Sequence, residues 1–316
     1  LTELICSGNQ LTSLDISNNI ALTSLVCQNN PITSLDLSNN TNLYDVWIGS
    51  LELTSLDISN NIHLKELHCY RNYLTSLDIH NNIVLQRLDV GDNSISTLDL
   101  STNINLDHLQ IYGNQFSNLD VTNNIVLTDL YCSSNQLTTL DVSNNTTLNS
   151  LYCEDNQLTS LDVSNNTVLT LLNCRFNQLT NLDVSGATSL WYLNSFDNQL
   201  TSLDVSNNPA LIELYCEDNE LTSLDVRNGN NANISEFWAH DNPNLYCIYV
   251  DDVVWSTANW TSPNIDPWTN FSTNCATAFG CTDPIACNYD LSANTDDGSC
   301  NYPTTSTTDV IACDSL

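Results

Sequence analysis

Positive charge is almost missing from this chain. Five lysines and arginines stand against 37 aspartates and glutamates, leaving a formal net charge of −32. A surface of that sign repels phosphate backbones, which makes nucleic acid and anionic lipid poor partners, and no nucleic acid is expected. The excess either solvates the surface or reflects affinity for Ca²⁺ or a salty medium that screens the repulsion. Long apolar runs are missing too. Nothing approaches the roughly 20 residues of a membrane span, so membrane insertion is not expected. No signal peptide is visible, yet Leu1 opens inside a repeat and Leu316 ends on no closing signal. The chain therefore reads as a piece of something longer. The marks of catalysis are equally lacking: no GxSxG, no HExxH, no glycine-rich phosphate loop, no nucleophile–base pair. The five histidines (His63, His68, His80, His108 and His240) scatter over both faces of the repeat. No enzyme is expected, and no cofactor unless Ca²⁺ binds.

What is present is a strict 21-residue unit, seen cleanly at 148–168 as LNSLYCEDNQLTSLDVSNNTV. An aspartate marks it at Asp15, Asp36, Asp57, Asp78, Asp99, Asp120, Asp141, Asp162, Asp183, Asp204 and Asp225, with no insertion or deletion between them. A fixed period of this length predicts a solenoid, each repeat one coil stacked on the last. The unit divides into half-turns of ten and eleven residues, LxxLxCxxNx and LxxLDVSNNxx. In the first, Leu151 and Cys153 face inward while Tyr152 and Glu154 face out, the period-2 rhythm of a strand. Asn156 and its equivalents (Asn9, Asn30, Asn72, Asn93, Asn114, Asn135, Asn177, Asn198, Asn219) predict a ladder of corner hydrogen bonds. In the second, Leu161 and Val163 face in, Asp162 and Ser164 out. Half-turns this short leave no room for a helix. Leu51 replaces the corner asparagine of the third repeat, where local distortion is expected. Between Asp225 and Asn242 the register shifts by two residues.

This pattern resembles the leucine-rich repeat, and more narrowly its short 21-residue bacterial subclass, over 1 to about 242. The resemblance implies a curved parallel-strand solenoid that binds other molecules. The fold expected is mainly β: parallel strands on the LxC face, short strands or extended turns on the LDV face, almost no α-helix.

Stacking places equivalent outward residues ~4.8 Å apart in columns. One column reads Ile5, Val26, Trp47, His68, Asp89, Gln110, Tyr131, Tyr152, Asn173, Asn194, Tyr215 and Trp238; the next reads Ser7, Gln28, Gly49, Tyr70, Gly91, Tyr112, Ser133, Glu154, Arg175, Phe196, Glu217 and His240. These positions vary while the frame does not, which is where a repeat protein recognises something. The candidate ligand-binding set is Tyr131, Tyr152, Glu154, Asp155, Phe196, Tyr215, Glu217 and Trp238. Aromatics among carboxylates stack on sugars or grip a basic or Ca²⁺-bridged partner; aromatics on strands also serve cross-strand packing alone. The aspartate column is uniform instead. Adjacent carboxylates repel by about 0.9 kcal/mol in water, so compensation by Thr and Ser hydroxyls, by backbone N–H groups of the S-N-N corner or by a cation is required; uniformity favours a turn-forming role over metal. A threonine column (Thr12, Thr33, Thr54 and onward) keeps ice binding as a remote alternative, although its neighbour is mainly serine.

Thirteen cysteines form two groups. Cys6, Cys27, Cys69, Cys132, Cys153, Cys174 and Cys216 share an inward position with Ile48, Val90, Ile111 and Ser195 elsewhere, and are expected to be free core thiols. The rest lie beyond residue 246 and point to disulfides in an oxidising, extracytoplasmic compartment. Trp255, Trp260, Trp268 and Phe271 can cover the open end of the solenoid, and Cys247 and Cys275 bracket that segment as an expected disulfide. It resembles the caps that follow such repeats in secreted Bacteroidetes proteins. The stretch 280–300, GCTDPIACNYDLSANTDDGSC, resembles a small cysteine module of the same secreted proteins, implying a Cys281 to Cys300 bridge. The partners of Cys287 and Cys313 stay open. Asp283, Asn288, Asp290, Asp296 and Asp297 offer oxygens for Ca²⁺ without the spacing of an EF-hand. The expected organisation is a solenoid at 1–243, a cap at 244–278, the cysteine module at 279–302 and a Thr-rich linker or further domain at 303–316. The expected function is a secreted or cell-surface binding or adhesion protein recognising protein or glycan, monomeric as this fragment; the alternative is a rigid spacer, and an enzyme only through an appended domain.

Overall fold

The structure, a computed structural model, describes residues 1–275, 279–289, 295–296 and 298–302. Its spine is a twelve-stranded parallel sheet, one three-residue strand per coil, from Glu3–Ile5 to Glu236–Trp238. Each strand pairs in register with its equivalent one repeat on, as Leu25 with Val46 and Leu130 with Leu151. Glu213 pairs with Glu236, so the two extra residues are absorbed outside the sheet. They sit in a 3₁₀ turn, Asn231–Asn233.

The strands are short because the chain turns sharply at their ends. Ten non-glycine residues, Asn29 through Asp241, hold φ between 51° and 59°, and Gly8 and Gly113 take the same place in their coils. A left-handed residue costs roughly 1–2 kcal/mol, least for the Asn and Asp that make up six of the ten. The asparagine that follows offsets it. Asn72 donates through Nδ2 to the carbonyls of Ile48 (3.0 Å) and Cys69 (2.9 Å), while its Oδ1 accepts Leu53 N–H (3.1 Å). A second ladder, not read from the sequence, runs through Asn40, Asn61, Asn82, Asn103, Asn124, Asn145, Asn166 and Asn208. Each donates to two carbonyls of the preceding coil, as Asn61 does to Leu37 (3.2 Å) and Asn40 (2.9 Å).

The distortion expected at Leu51 is not found. Leu51 is buried, Ser50 keeps φ 52°, and Ser50 N–H still reaches Tyr70 O at 2.8 Å. The backbone holds the corner, and Ile32 N–H, deprived of an asparagine oxygen, turns to Asn30 O at 2.9 Å.

Inside, the leucines, isoleucines and valines of both half-turns form one continuous core. Burying each such side chain stabilises by about 1.5–3 kcal/mol. Cys27, Cys69, Cys132, Cys153, Cys174 and Cys216 are buried free thiols and Cys6 a partly buried one, as expected.

The second face changes along the molecule. It forms strands only from the eighth coil on: Ser160–Asp162 with Asn181–Asp183, then Ser202–Asp204, Ser223–Asp225, Cys247–Tyr249 and Asn270–Ser272. In the earlier coils Leu14, Leu35, Leu56 and Leu98 are only partly buried while Leu77, Leu119 and Leu140 are buried, and Leu161, Leu182, Leu203 and Leu224 of the strand-forming coils are all covered. At the junction lies a groove of about 470 Å³ lined by Leu119, Asp120, Leu140, Asp141 and Asp162.

The open end is closed by a non-repeating segment. Ala239 N–H donates to Asn264 O and Asn264 Nδ2 to Phe237 O, both at 2.8 Å. The buried Asp266 carboxylate accepts the N–H groups of Asp241 (3.1 Å) and Asn242 (3.0 Å). Trp260 stacks on Phe237 at 4.0 Å, with Trp255 edge-on to it and Phe271 beside it. Trp268 does not join them; it is exposed, a correction to the expected cover. The one α-helix among the described residues, Val253–Asn259, is capped by Asp252. Cys247 is bonded to Cys275 and Cys281 to Cys300, and Cys287 is also in a disulfide. Cys313 and 303–316 lie outside the described residues.

Candidate binding face

In each strand of the long sheet the middle residue faces the core, so the first and third face out. The third-residue column and the one beyond it are the two that the repeat pattern singled out. The first-residue column was missed, although the same period-2 rhythm one step back reveals it. It contributes Asp129, Tyr192, Glu213 and Glu236 to the C-terminal half.

Carboxylates and aromatics are tied together within single strands. Tyr215 O–H donates to Glu213 Oε2 and Trp238 Nε1–H to Glu236 Oε2, each at 3.2 Å. Across strands the rings meet as the coil spacing dictates. Tyr131 and Tyr152 stack with centroids 4.8 Å apart and 11° between planes, so each covers one face of the other. Phe196 meets Phe176 edge-on at 5.0 Å. Glu154 and Glu217 are half-buried, and burial raises both carboxyls above their ordinary range. Burial and then the charge of Glu213 push the Tyr215 hydroxyl up to about 12. Asp155 sits apart at the exposed left-handed corner, φ 56°. Of the eight candidates, Tyr131, Tyr152, Tyr215 and Trp238 share one column, and Glu154, Phe196 and Glu217 the next.

The N-terminal half of the face is packed down. Trp47 stacks on His68 at 3.7 Å, and His68 is buried with Asp89 at 3.8 Å. Tyr70 lies across Gly49 and Tyr112 across Gly91, where a Cβ would come within 2.5 and 2.3 Å of the rings. Tyr70 O–H then reaches Gln28 Oε1, two coils back, at 3.0 Å. These rings fill the surface that the glycines leave open.

On the second face ten of the eleven repeat aspartates are exposed and Asp225 is half-buried. Every one accepts, through Oδ1, the N–H two residues on at 2.8–3.0 Å, as Ser164 donates to Asp162 and Ser17 to Asp15. The Ser or Thr hydroxyl, then that N–H, lowers the carboxyl pKa at Asp15, Asp36, Asp57, Asp99, Asp120, Asp141 and Asp183. The column forms turns. A stripe of exposed isoleucines (Ile20, Ile62, Ile83, Ile104, Ile125) follows the second corner and was also missed, although its spacing is the repeat's own.

In the cysteine module Asp283 accepts Ile285 N–H (3.0 Å) and Tyr302 O–H (2.8 Å). Asn288 bridges Ser299 O and Asn301 N–H, both at 2.7 Å. Asp290 and Asp297 lie outside the described residues, and Asp296 is described only as part of the strand Thr295–Asp296. Among the described residues no three His, Cys, Asp or Glu side chains are grouped to hold a metal ion. No helix among them is long and apolar enough to cross a membrane.

No protein-family model matches the chain, and no curated protein matches it. Solved structures do. The functional domain of InlJ from Listeria monocytogenes, described as including a cysteine ladder, is similar at TM-score 0.67 and 32% identity over 80% of this chain and 60% of that one. The chain thus spans about 60% of that domain's length. An internalin, InlF, from the same organism is similar at TM-score 0.62 and 22% identity over 88% of both chains. A leucine-rich repeat protein of Leptospira interrogans is similar at 0.63 and 23% over 86% of this chain and 90% of that one. These three neighbours are bacterial leucine-rich repeat proteins, and the fold is theirs.

Proposed function

We propose that this chain is a binding repeat protein, secreted or displayed on a cell surface, that recognises its partner through the C-terminal half of the strand face. The carrying observation is the contrast between the two faces. The aspartate face repeats itself coil after coil, while the strand face changes residue at each coil and gathers Tyr131, Tyr152, Tyr215 and Trp238 with Glu154, Phe196 and Glu217 on one side. The likeness to the functional domain of InlJ supports a working face on such a solenoid. Two disulfides support an oxidising compartment. On this reading the chain is not an enzyme. Protein and glycan arrays probed with the chain and with Tyr152→Ala, Tyr215→Ala and Trp238→Ala test it. Binding weakened about tenfold or more by these substitutions is expected; binding indifferent to all three would remove the strand face from the proposal. The second reading, a rigid spacer, is favoured by the two asparagine ladders, each interrupted at one coil, at Leu51 and at Ala187, and it predicts no ligand on either array.

A further inference from the structure

Four consecutive coils carry an exposed isoleucine at one place, just past the second corner. Ile62, Ile83, Ile104 and Ile125 are each between 49% and 57% exposed. The equivalent position in the following coils is Thr146, Thr167, Thr188 and Pro209, and Thr41 separates the row from Ile20. The fold does not require isoleucine there, since threonine serves the same position elsewhere. Single exposed apolar residues are ordinary, but a contiguous row of them marks an interaction surface.

The row is held rigid and evenly spaced. The buried asparagine before each isoleucine is tied to the one in the preceding coil: Nδ2 of Asn82, Asn103 and Asn124 donates to the carbonyls of Asn61, Asn82 and Asn103 respectively, each at 2.9 Å. Ile83 O itself accepts Asn105 Nδ2 at 3.0 Å. A rigid row of equal steps fits another row of the same steps, and a second copy of the chain supplies one. Turned end for end about a two-fold axis that crosses the row at Ile83, the stripe sets Ile62 against Ile104 of the second copy and Ile83 against its own equivalent.

Charge favours the same pairing. A chain at −32 resists self-association as a whole. At physiological salt the Debye length is about 8 Å, so the charges beside the stripe decide. Three of the five Lys and Arg, and four of the five His, lie between residues 63 and 108, in the coils of Ile62 to Ile104. Three residues after each isoleucine the flanking column reads Lys65, Gln86, Asp107 and Thr128. Two residues before each it reads Asn60, Asn81, Thr102 and Asn123, which carry no charge. The two-fold that pairs Ile62 with Ile104 also brings Lys65 opposite Asp107, once on each side of the axis. We propose that the isoleucine stripe is a self-association surface on which two copies of this chain dock antiparallel. The stripe lies outside the strand-face columns, and the inference does not rest on them. A row this narrow makes a small interface, under about 1,200 Å² in total, so a Kd of roughly 10–100 µM is expected.

Sedimentation equilibrium of the full chain at physiological salt tests it. The unaltered chain is expected to dimerise as concentration rises. Ile83→Asp is expected to weaken the dimer about tenfold or more without lowering Tm, because the residue is exposed. Lys65→Asp and Asp107→Lys are each expected to weaken it about fivefold, and the double exchange to restore it to within about twofold, a recovery that misfolding cannot produce. Asp107→Lys is the sharpest arm: general self-repulsion predicts that a less negative chain associates more tightly, so tightening there would overturn the proposal. A chain that is monomeric at every concentration up to about 0.5 mM would overturn it, as would a dimer indifferent to Ile83→Asp. A monomer that binds phosphatidylcholine vesicles, and loses them with Ile83→Asp, would give the stripe to a lipid surface and overturn the second copy as its occupant.

Discussion

The corner asparagines are the residues on which most backbone accounting turns. Each satisfies groups that two adjacent coils leave open, so removal is felt twice. Asn72→Leu would orphan Leu53 N–H and the carbonyls of Ile48 and Cys69, at a cost of about 2–4 kcal/mol. The natural Leu51 shows what compensation looks like: Ile32 N–H is already satisfied by Asn30 O, and Leu51 itself is buried. The reverse change, Leu51→Asn, exchanges apolar burial for hydrogen bonds and is expected to fall within about 1 kcal/mol of neutral. Urea denaturation of the two variants decides the matter. If Asn72→Leu were as mild as Leu51→Asn, the corner would be held by its backbone bonds alone.

Elements in this molecule cannot stand alone, and its end cap imitates one more of them. Asn264 supplies a strand's carbonyl and a donor to Phe237 O; Asp266 replaces with one carboxylate the two carbonyls that the next coil would present. Asp266→Ala leaves the Asp241 and Asn242 N–H groups without acceptors in a buried place, a loss of about 2–5 kcal/mol. Because a solenoid's coils depend mainly on their neighbours, the loss should be local. Hydrogen exchange is expected to quicken in the last two or three coils and to leave the first six unchanged; uniform acceleration along the chain would contradict this. At this scale the sequence was most informative, since Leu151 and Cys153 pointing in, and Tyr152 pointing out, are strand alternation repeated in every coil. Less visible was anything set by the distance between coils. Closure of the second face at Ser160–Asp162 depends on how tightly neighbours stack, and so does the exposure of Trp268. The adjacent asparagines of S-N-N look alike in the sequence, and corner geometry alone buries the second of them.

For the whole molecule the deciding quantity is charge. Two sets of carboxyls pull stability in opposite directions with pH. Eight repeat aspartates (Asp15, Asp36, Asp57, Asp99, Asp120, Asp141, Asp183 and Asp225) have depressed pKa values, so their contribution is complete above the unfolded value of about 3.9 and is lost as pH falls through the folded one. Glu154 and Glu217 have raised values; ionised they oppose folding, and protonation relieves them as pH falls. The first set is larger, so thermal stability is expected to decline steeply once pH drops below about 4. Above that point the remaining term is self-repulsion at −32. Neighbouring aspartates ~4.8 Å apart lie inside the Debye length of about 8 Å at physiological salt, so added salt reaches mainly the longer-range part. Sodium chloride should therefore raise Tm by several degrees at pH 7 and by little near the isoelectric point of 4.1. Matching ionic strength with calcium chloride separates screening from binding: equal gains mean screening, because each aspartate Oδ1 is already engaged by its own turn. A far larger gain with calcium, lost on chelation, would instead make the aspartate column a cation site and overturn its assignment to turn formation alone.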